Sequence, residues 1–293
     1  MNTLFAMIRR NVRLFFRDKG MFFTSLITPV ILLVLYGAFL KDVYRDSFLM
    51  ALPSLTEELL NGLVGGQLIS SILAVSCVTV SFCSNFLLVQ DKANGTIKDL
   101  RIAPIKPWVL SLGYYAATLL STLLICFVAA VVCLVYVAAI GWYMTALDVV
   151  LLLLDVVILV LFGTALSSVI NFFLSSQGQI SAVGTIVSSG YGFISGAYMP
   201  ISSFGEGLQK AIMFLPGTYG TSLMRNHAMG GVIRELEGLH VPKEAISGLK
   251  DAMDCNLYFF ENQVTLPVMY MVIGFTTLAL IGIYILLNTL KKR

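Results

Sequence analysis

No charged residue occurs between positions 62 and 89, and between Lys106 and Glu206 only Asp148 and Asp155 interrupt 99 positions. Such runs exceed the roughly 20 apolar residues with which a helix crosses a bilayer core. Lipid offers backbone groups no hydrogen-bond partner, so spanning segments are helices or closed barrels, and hydrophobicity that is continuous rather than alternating selects helices. The expected fold is therefore all-α and integral to a membrane. Composition agrees: 58% of the 293 residues are hydrophobic and 12% charged, where soluble domains carry about a quarter charged residues.

Turn signals divide the apolar runs. A first span covers residues 21–40, interrupted at Pro29, and is longer than the roughly 7–15 apolar residues of a signal peptide core, so it reads as retained. A polar loop, 41–61, precedes a second span at 62–89. Gly141-Trp142-Tyr143 and Ser175-Ser176-Gln177-Gly178-Gln179 then separate spans at 108–140, 149–174 and 180–198. Trp142 and Tyr143 suit a headgroup-level aromatic belt. Residues 200–263 begin with Pro200, Gly205, Gly207, Pro216 and Gly217, which predicts a pair of short helices dipping into the outer leaflet. A small surface helix follows at 242–253, with Ala245, Ile246 and Leu249 as its buried side. The last span is 264–290.

Basic residues orient the chain. The N-terminal segment, 2–19, sets Leu4, Ile8, Val12 and Phe15 at helical spacing against Arg9, Arg10, Arg13 and Arg17. This is the pattern of an interfacial helix, or of a positive-inside anchor. Further cations lie in segment 91–107 and at Lys291-Lys292-Arg293. Six spans with both termini cytoplasmic satisfy parity and this bias together. Segment 91–107, DKANGTIKDLRIAPIKP, also retains Ile97, Leu100, Ile102 and Ile105. A solvated loop has no use for these aliphatics, so the segment reads as a short amphipathic helix at the cytoplasmic face on which something docks.

Catalysis and direct nucleotide use find no support. The two histidines, His227 and His240, have no ligand-spaced partner, and no Gly-Lys dipeptide exists to end a phosphate-binding loop. A formal net charge of +3, spread over several loops, does not suggest nucleic acid. Four of five cysteines, Cys77, Cys83, Cys126 and Cys133, lie in apolar runs, leaving Cys255 in a polar segment. Asp155 is the one acid inside an apolar run; it is either a substrate-path or proton-linked carboxylate, or a near-interface group bonded to a neighbouring helix. Gly184, Ser188, Gly192 and Gly196 form a stripe of small residues that permits close helix packing, within the chain or at a dimer seam or path wall. Tyr191, Tyr198 and Met199 near its end suit an amphipathic substrate or ordinary interface packing. Asn94-Gly95-Thr96 matches a glycosylation triplet, but at a cytoplasmic position it is better read as a capped turn.

Four features together resemble the membrane subunits of type-2 ABC transporters, a permease family of bacterial drug, natural-product and polysaccharide exporters. The basic N-terminal helix resembles the family's connecting helix. Asp91-x-x-Asn94-Gly95-Thr96 followed by Leu100-Arg101-x-x-Pro104-Ile105 resembles its coupling helix, with Asn94 standing where members usually show an acid. Ser195-Gly196-Ala197-Tyr198-Met199-Pro200 resembles the end of the fifth span, and Leu215-Pro216-Gly217-Thr218-Tyr219 the segment after the re-entrant helices. The resemblance implies one permease domain over 1–293, without catalysis or a cofactor of its own, in a bacterial cell membrane. It implies two cytoplasmic ATPase subunits that bind ATP and Mg, a second permease, identical or not, and membrane lipids as partners. Asp91, Asn94, Gly95, Thr96, Ile97, Leu100, Arg101 and Pro104 would couple to the ATPase. Asp155, Ser188, Tyr191, Gly192, Tyr198, Met199 and Pro200 are the candidate substrate path. The substrate would be an amphipathic small molecule, drug or peptide, or alternatively a lipid-linked or teichoic-acid-type glycan. An ion-coupled secondary transporter using Asp155 and a membrane scaffold or sensor are the other classes open.

Overall fold

Asp18 decides where the first two helices part. Helix α1 (Asn2–Arg17) ends before it, and its carboxylate accepts the Met21 N–H at 3.1 Å to open α2 (Lys19–Leu35), satisfying one of the donors a helix start leaves unpaired. The computed structural model describes residues 2–53, 55–103 and 105–290. The helical run does not stop at residue 40: a π-helical turn (Tyr36–Leu40) leads into α3 (Lys41–Ala51). The expected polar loop is thus helical over most of its first half. Tyr44 and Phe48, one turn apart, are buried and stacked at 6.3 Å between centroids, a stripe that the flanking charges mask in the sequence.

Helix α4 (Glu57–Ala93) is the centre. Around it stand α2, α6 (Pro107–Ile140), α7 (Ala146–Phe173), α8 (Gln177–Ile194) and α10 (Pro216–Gly238). Burial on every side explains the absence of charge over its residues 62–89. One of its polar side chains serves two neighbouring helices: Asn85 Nδ2 donates to Ser167 and Ser168 of α7 at 3.1 and 3.0 Å, and Asn85 Oδ1 accepts from Thr118 of α6 at 3.4 Å, as polar groups do in lipid-embedded bundles. Its 37 residues and the 34 of α6 amount to about 55 and 51 Å, well beyond the roughly 30 Å of hydrocarbon.

Among the described residues, five helical stretches are long and apolar enough to cross a membrane: Lys19–Met50, Glu57–Ala93, Pro107–Ile140, Ala146–Phe173 and Leu266–Leu290, the last being α12. The expected fifth span coincides largely with α8. Its glutamines, serines and glycines keep it outside that set, and its 18 residues rise about 27 Å.

The segment after α8 departs most from expectation. A 3₁₀ turn (Ile201–Ser203) and the short α9 (Glu206–Ile212) lead to α10, which at 23 residues is far from a short dipping helix. Helix α11 (Lys243–Ala252) buries Ile246 and Leu249 as the spacing predicts. An antiparallel hairpin of β1 (Leu257–Phe259) and β2 (Asn262–Val264) then precedes α12. Strands of three residues are too short to show alternation.

Gly231 of α10 fixes one close approach: a Cβ there would lie 2.0 Å from the Tyr143 carbonyl oxygen. Gly231→Ala is expected to lower stability by about 1–3 kcal/mol or more, because backbone must move. Gly248→Ala, where a Cβ meets nothing within 4 Å, should be neutral or stabilising. Thermal unfolding of the detergent-solubilised variants distinguishes the two.

Candidate functional site

At the Asp91 end, α4 stops because the chain reverses. The Asn94 N–H donates to Gln90 O at 2.9 Å, and Gly95 adopts φ +81°, a left-handed conformation that glycine enters without steric cost. Helix α5 (Thr96–Ile102) follows and lies against α4, burying Ile97 and half-burying Leu100. Ile102 on the same short helix is 84% exposed. The side chain of Arg101, and Pro104, lie outside the described residues.

Asp91 is buried between two other helices. It accepts from Arg10 Nη1 of α1 at 2.9 Å and from the Tyr114 hydroxyl of α6. Arg10 Nη1 also donates to Asn11 Oδ1 at 2.7 Å. Burial works against the Arg10 charge, but the Asp91 hydrogen bond and charge hold its pKa above the ordinary value. Arg10 thus separates from its group: Arg9, Arg13 and Arg17 are exposed. The next residue, Lys92, reaches the carbonyls that end α7, at Asn171 (2.8 Å), Phe172 (2.6 Å) and Leu174 (3.1 Å).

Between α2, α4 and α8 lies a groove of about 710 Å³, with Thr24, Ile27 and Thr28 on one wall, Phe86 and Gln90 on its floor, and Thr185 and Ser188 opposite. Its mixture of methyl, ring and hydroxyl groups suits a ligand with both apolar and polar parts. Of the candidate path residues, Ser188 and Tyr198 line it. The Tyr198 ring covers Gly192, where a Cβ would fall 2.2 Å from it, and Tyr191 is buried with its hydroxyl against Gly217. Met199 and Pro200 sit half-buried in the turn after α8. A Cβ added at Gly184 would lie 3.3 Å from the Phe86 ring of α4, so the small-residue stripe is used at least partly within the chain.

Asp155 lies apart, in a junction of three helices. Its Oδ2 is 2.6 Å from His227 Nδ1 of α10, and its Oδ1 accepts from the Tyr270 hydroxyl of α12. Nearer the start of α7, Asp148 forms a capping box with Thr145 and pairs with Arg234 of α10. One further group ties α10 to its surroundings. The fully buried Arg225 donates from Nη1 to Asp254 Oδ2 at 2.9 Å and to Met253 O at 3.0 Å, and from Nη2 to Gly196 O and to Ser71 Oγ at 3.3 Å. Both Asp254 oxygens also accept the Ile201 N–H, at 2.9 and 3.1 Å. Burial pushes the Asp254 carboxyl up, against the pull of Arg225 and that N–H. Burial likewise pushes the neighbouring Cys255 thiol up to about 12, leaving little of the reactive thiolate.

Sequence reasoning assigned no partner to Lys92, Arg225, His227 and Tyr270, whose partners lie 28 to 154 positions away. One signal was present: Arg225 and His227 fall within a run otherwise made almost wholly of small and apolar residues, where a lone polar side chain needs a partner. No group of three or more His, Cys, Asp or Glu among the described residues is arranged to hold a metal ion.

No curated protein matches the chain. The family described as ABC-2 type transporter matches residues 2–228, from α1 through α5 and the groove to Asp155 and His227, and ends within α10, before α11, the hairpin and α12 with Tyr270. A match over that share of 293 residues, on a helical chain with several membrane-crossing lengths, places the protein: it belongs to the ABC-2 type transporter family and is a membrane permease of such a transporter.

Proposed function

We propose that this permease is the membrane part of an ATP-driven exporter that moves an amphipathic small molecule, drug or peptide across the cell membrane. Two ATPase subunits, holding ATP and Mg, dock at the Asp91 end of α4, and a second permease completes the path. Helix α8 crosses as the sixth span, which puts both termini on the ATPase side. The observation that carries this reading is α5. This short helix turns Ile97 and Leu100 toward α4 and leaves Ile102 exposed, at the tip of the most buried of the described helices, and Asp91 ties that tip to α1 and α6. We read this end, with its fixed Asp91 and its short helix in a polar segment, as the docking point of a protein partner. The groove between α2 and α8 supports the substrate class through its mixed lining.

The test is reconstitution. The permease, purified with the ATPase that accompanies it, should accumulate an amphipathic fluorescent dye in proteoliposomes only with hydrolysable ATP. Purification without any ATPase, and no ATP-dependent movement with any candidate ATPase, would overturn the proposal.

In this reading Asp155 is structural. Asp155→Asn keeps an oxygen to accept from Tyr270 and an amide to face His227, so assembly and transport within about twofold of wild type are expected. Normal assembly with lost transport would instead place the carboxylate in the transport path.

A further inference from the structure

Asp91 and Lys92 are neighbours in the last turn of α4, yet they serve different helices. Asp91 takes Arg10 of α1 and Tyr114 of α6, whereas the Lys92 ammonium takes three carbonyls at the end of α7 and lies 5.3 Å from the centre of the Phe172 ring. The last carbonyls of a helix have no partner inside it and carry the negative end of its dipole. An ammonium offers three donors, so one side chain can answer three of these acceptors. The Asn171 carbonyl also receives the Leu174 N–H at 3.3 Å, and Lys92 adds charge-assisted bonds to all three, which makes the contact a joint rather than a passing surface pair.

What α7 holds at its other end gives the joint a consequence. Asp155, 16 residues before Asn171, meets His227 and Tyr270, and Asp148 meets Arg234. The separation is about 24 Å along a helix without proline. Midway, Gly163 lies against the α4 backbone, with a built Cβ 3.0 Å from Val78 Cα, so the two helices are in close register between their ends.

We infer that Lys92 is a positioning residue that gives the coupling segment a second output. Displacement of α5 passes through the Lys92 joint into α7, and from there to α10 and α12 at the far end. The inference rests on α5 being the ATPase contact. It differs from a purely local role for the Asp91 end, in which motion would reach α1 and α6 alone.

The experiment uses the full permease with its ATPase in proteoliposomes. Lys92→Met keeps the aliphatic stem and removes the donors. It should assemble and hydrolyse ATP while ATP-dependent transport falls roughly tenfold. Lys92→Arg, which retains donors, should keep most of it. Spin labels at Ala93→Cys and Ser175→Cys, both exposed sites in a chain whose own cysteines are buried, report on the joint directly. Their distance should stay constant between nucleotide-free and ATP-bound states with Lys92 present, and should broaden or shift in Lys92→Met. A joint that opens in the ATP-bound state with Lys92 in place, or a Lys92→Met that transports like wild type, overturns the inference and leaves the permease reading standing. This distance measurement decides the matter even if Lys92→Met fails to assemble. If the unmutated permease moves nothing with ATP, the permease reading fails first and the inference falls with it.

Discussion

Asp254→Ala is expected to destabilise the folded chain by about 3–5 kcal/mol, the cost typical of leaving a buried charge without its counter-ion. Arg225 is fully buried, and Asp254 is the carboxylate it meets. Its other partners are neutral: the carbonyls of Met253 and Gly196 and the hydroxyl of Ser71. The loss also frees the Ile201 N–H, which both Asp254 oxygens accept. Asp254→Asn retains an acceptor for that N–H, so it should fall between wild type and Ala. Pairing Arg225→Met with Asp254→Leu should recover part of the loss, since apolar replacement of a whole buried pair is often neutral or better. Thermal unfolding in detergent reads these differences, with wild type, Arg225→Met, Asp254→Leu and the double variant as a cycle. An Asp254→Ala protein as stable as wild type would mean that the pair does not anchor the segment after α8 to α10.

The second large effect is functional. Gly95 sits at φ +81°, whereas proline is fixed near −65°, so Gly95→Pro must re-aim α5. It also removes the N–H that donates to Lys92 O at 3.2 Å. Leu100→Asp leaves the backbone alone and places a carboxylate on the apolar side that α5 shares with Ile97. A buried or docked carboxylate without a partner is costly, so the variant should loosen α5 from the end of α4 and weaken the proposed contact while the membrane helices stay inserted. For both variants the expectation is an inserted, assembled permease whose ATPase still turns over while transport falls by tenfold or more, within the usual range of about 5–150-fold for coupling between sites.

How much of this was legible in the sequence follows from distance along the chain. Helix α4 could be read because burial on all sides forbids charge over 28 consecutive positions, 62–89. The amphipathic α1 and the small α11 announced themselves through spacing, which is a local property. Helix α3 was hidden because Tyr44 and Phe48 are outnumbered by charges around them, and an amphipathic helix shows itself by such a stripe rather than by mean polarity. Helix α8 mixes glycine and serine with its apolar residues because it meets Phe86 and Tyr198 at close range, and that weakens the very signal by which a span is recognised. Helix α5 was legible as an apolar pattern inside a polar interruption. The fixing points before it were not, since Asp91 meets Arg10 across 81 positions and Lys92 meets α7 across about 80. Likewise nothing in spacing joins Asp155 to His227 and Tyr270. Contacts that long are set by helix packing, which a single sequence does not display.

The measurement that bears most directly on the central proposal is the number of dye molecules moved per ATP hydrolysed, in proteoliposomes holding the permease and its ATPase, for wild type and Leu100→Asp. If α5 transmits the ATPase motion, this ratio collapses in Leu100→Asp while the ATPase remains bound and active. An unchanged ratio, with the ATPase bound as in wild type, would contradict the proposal.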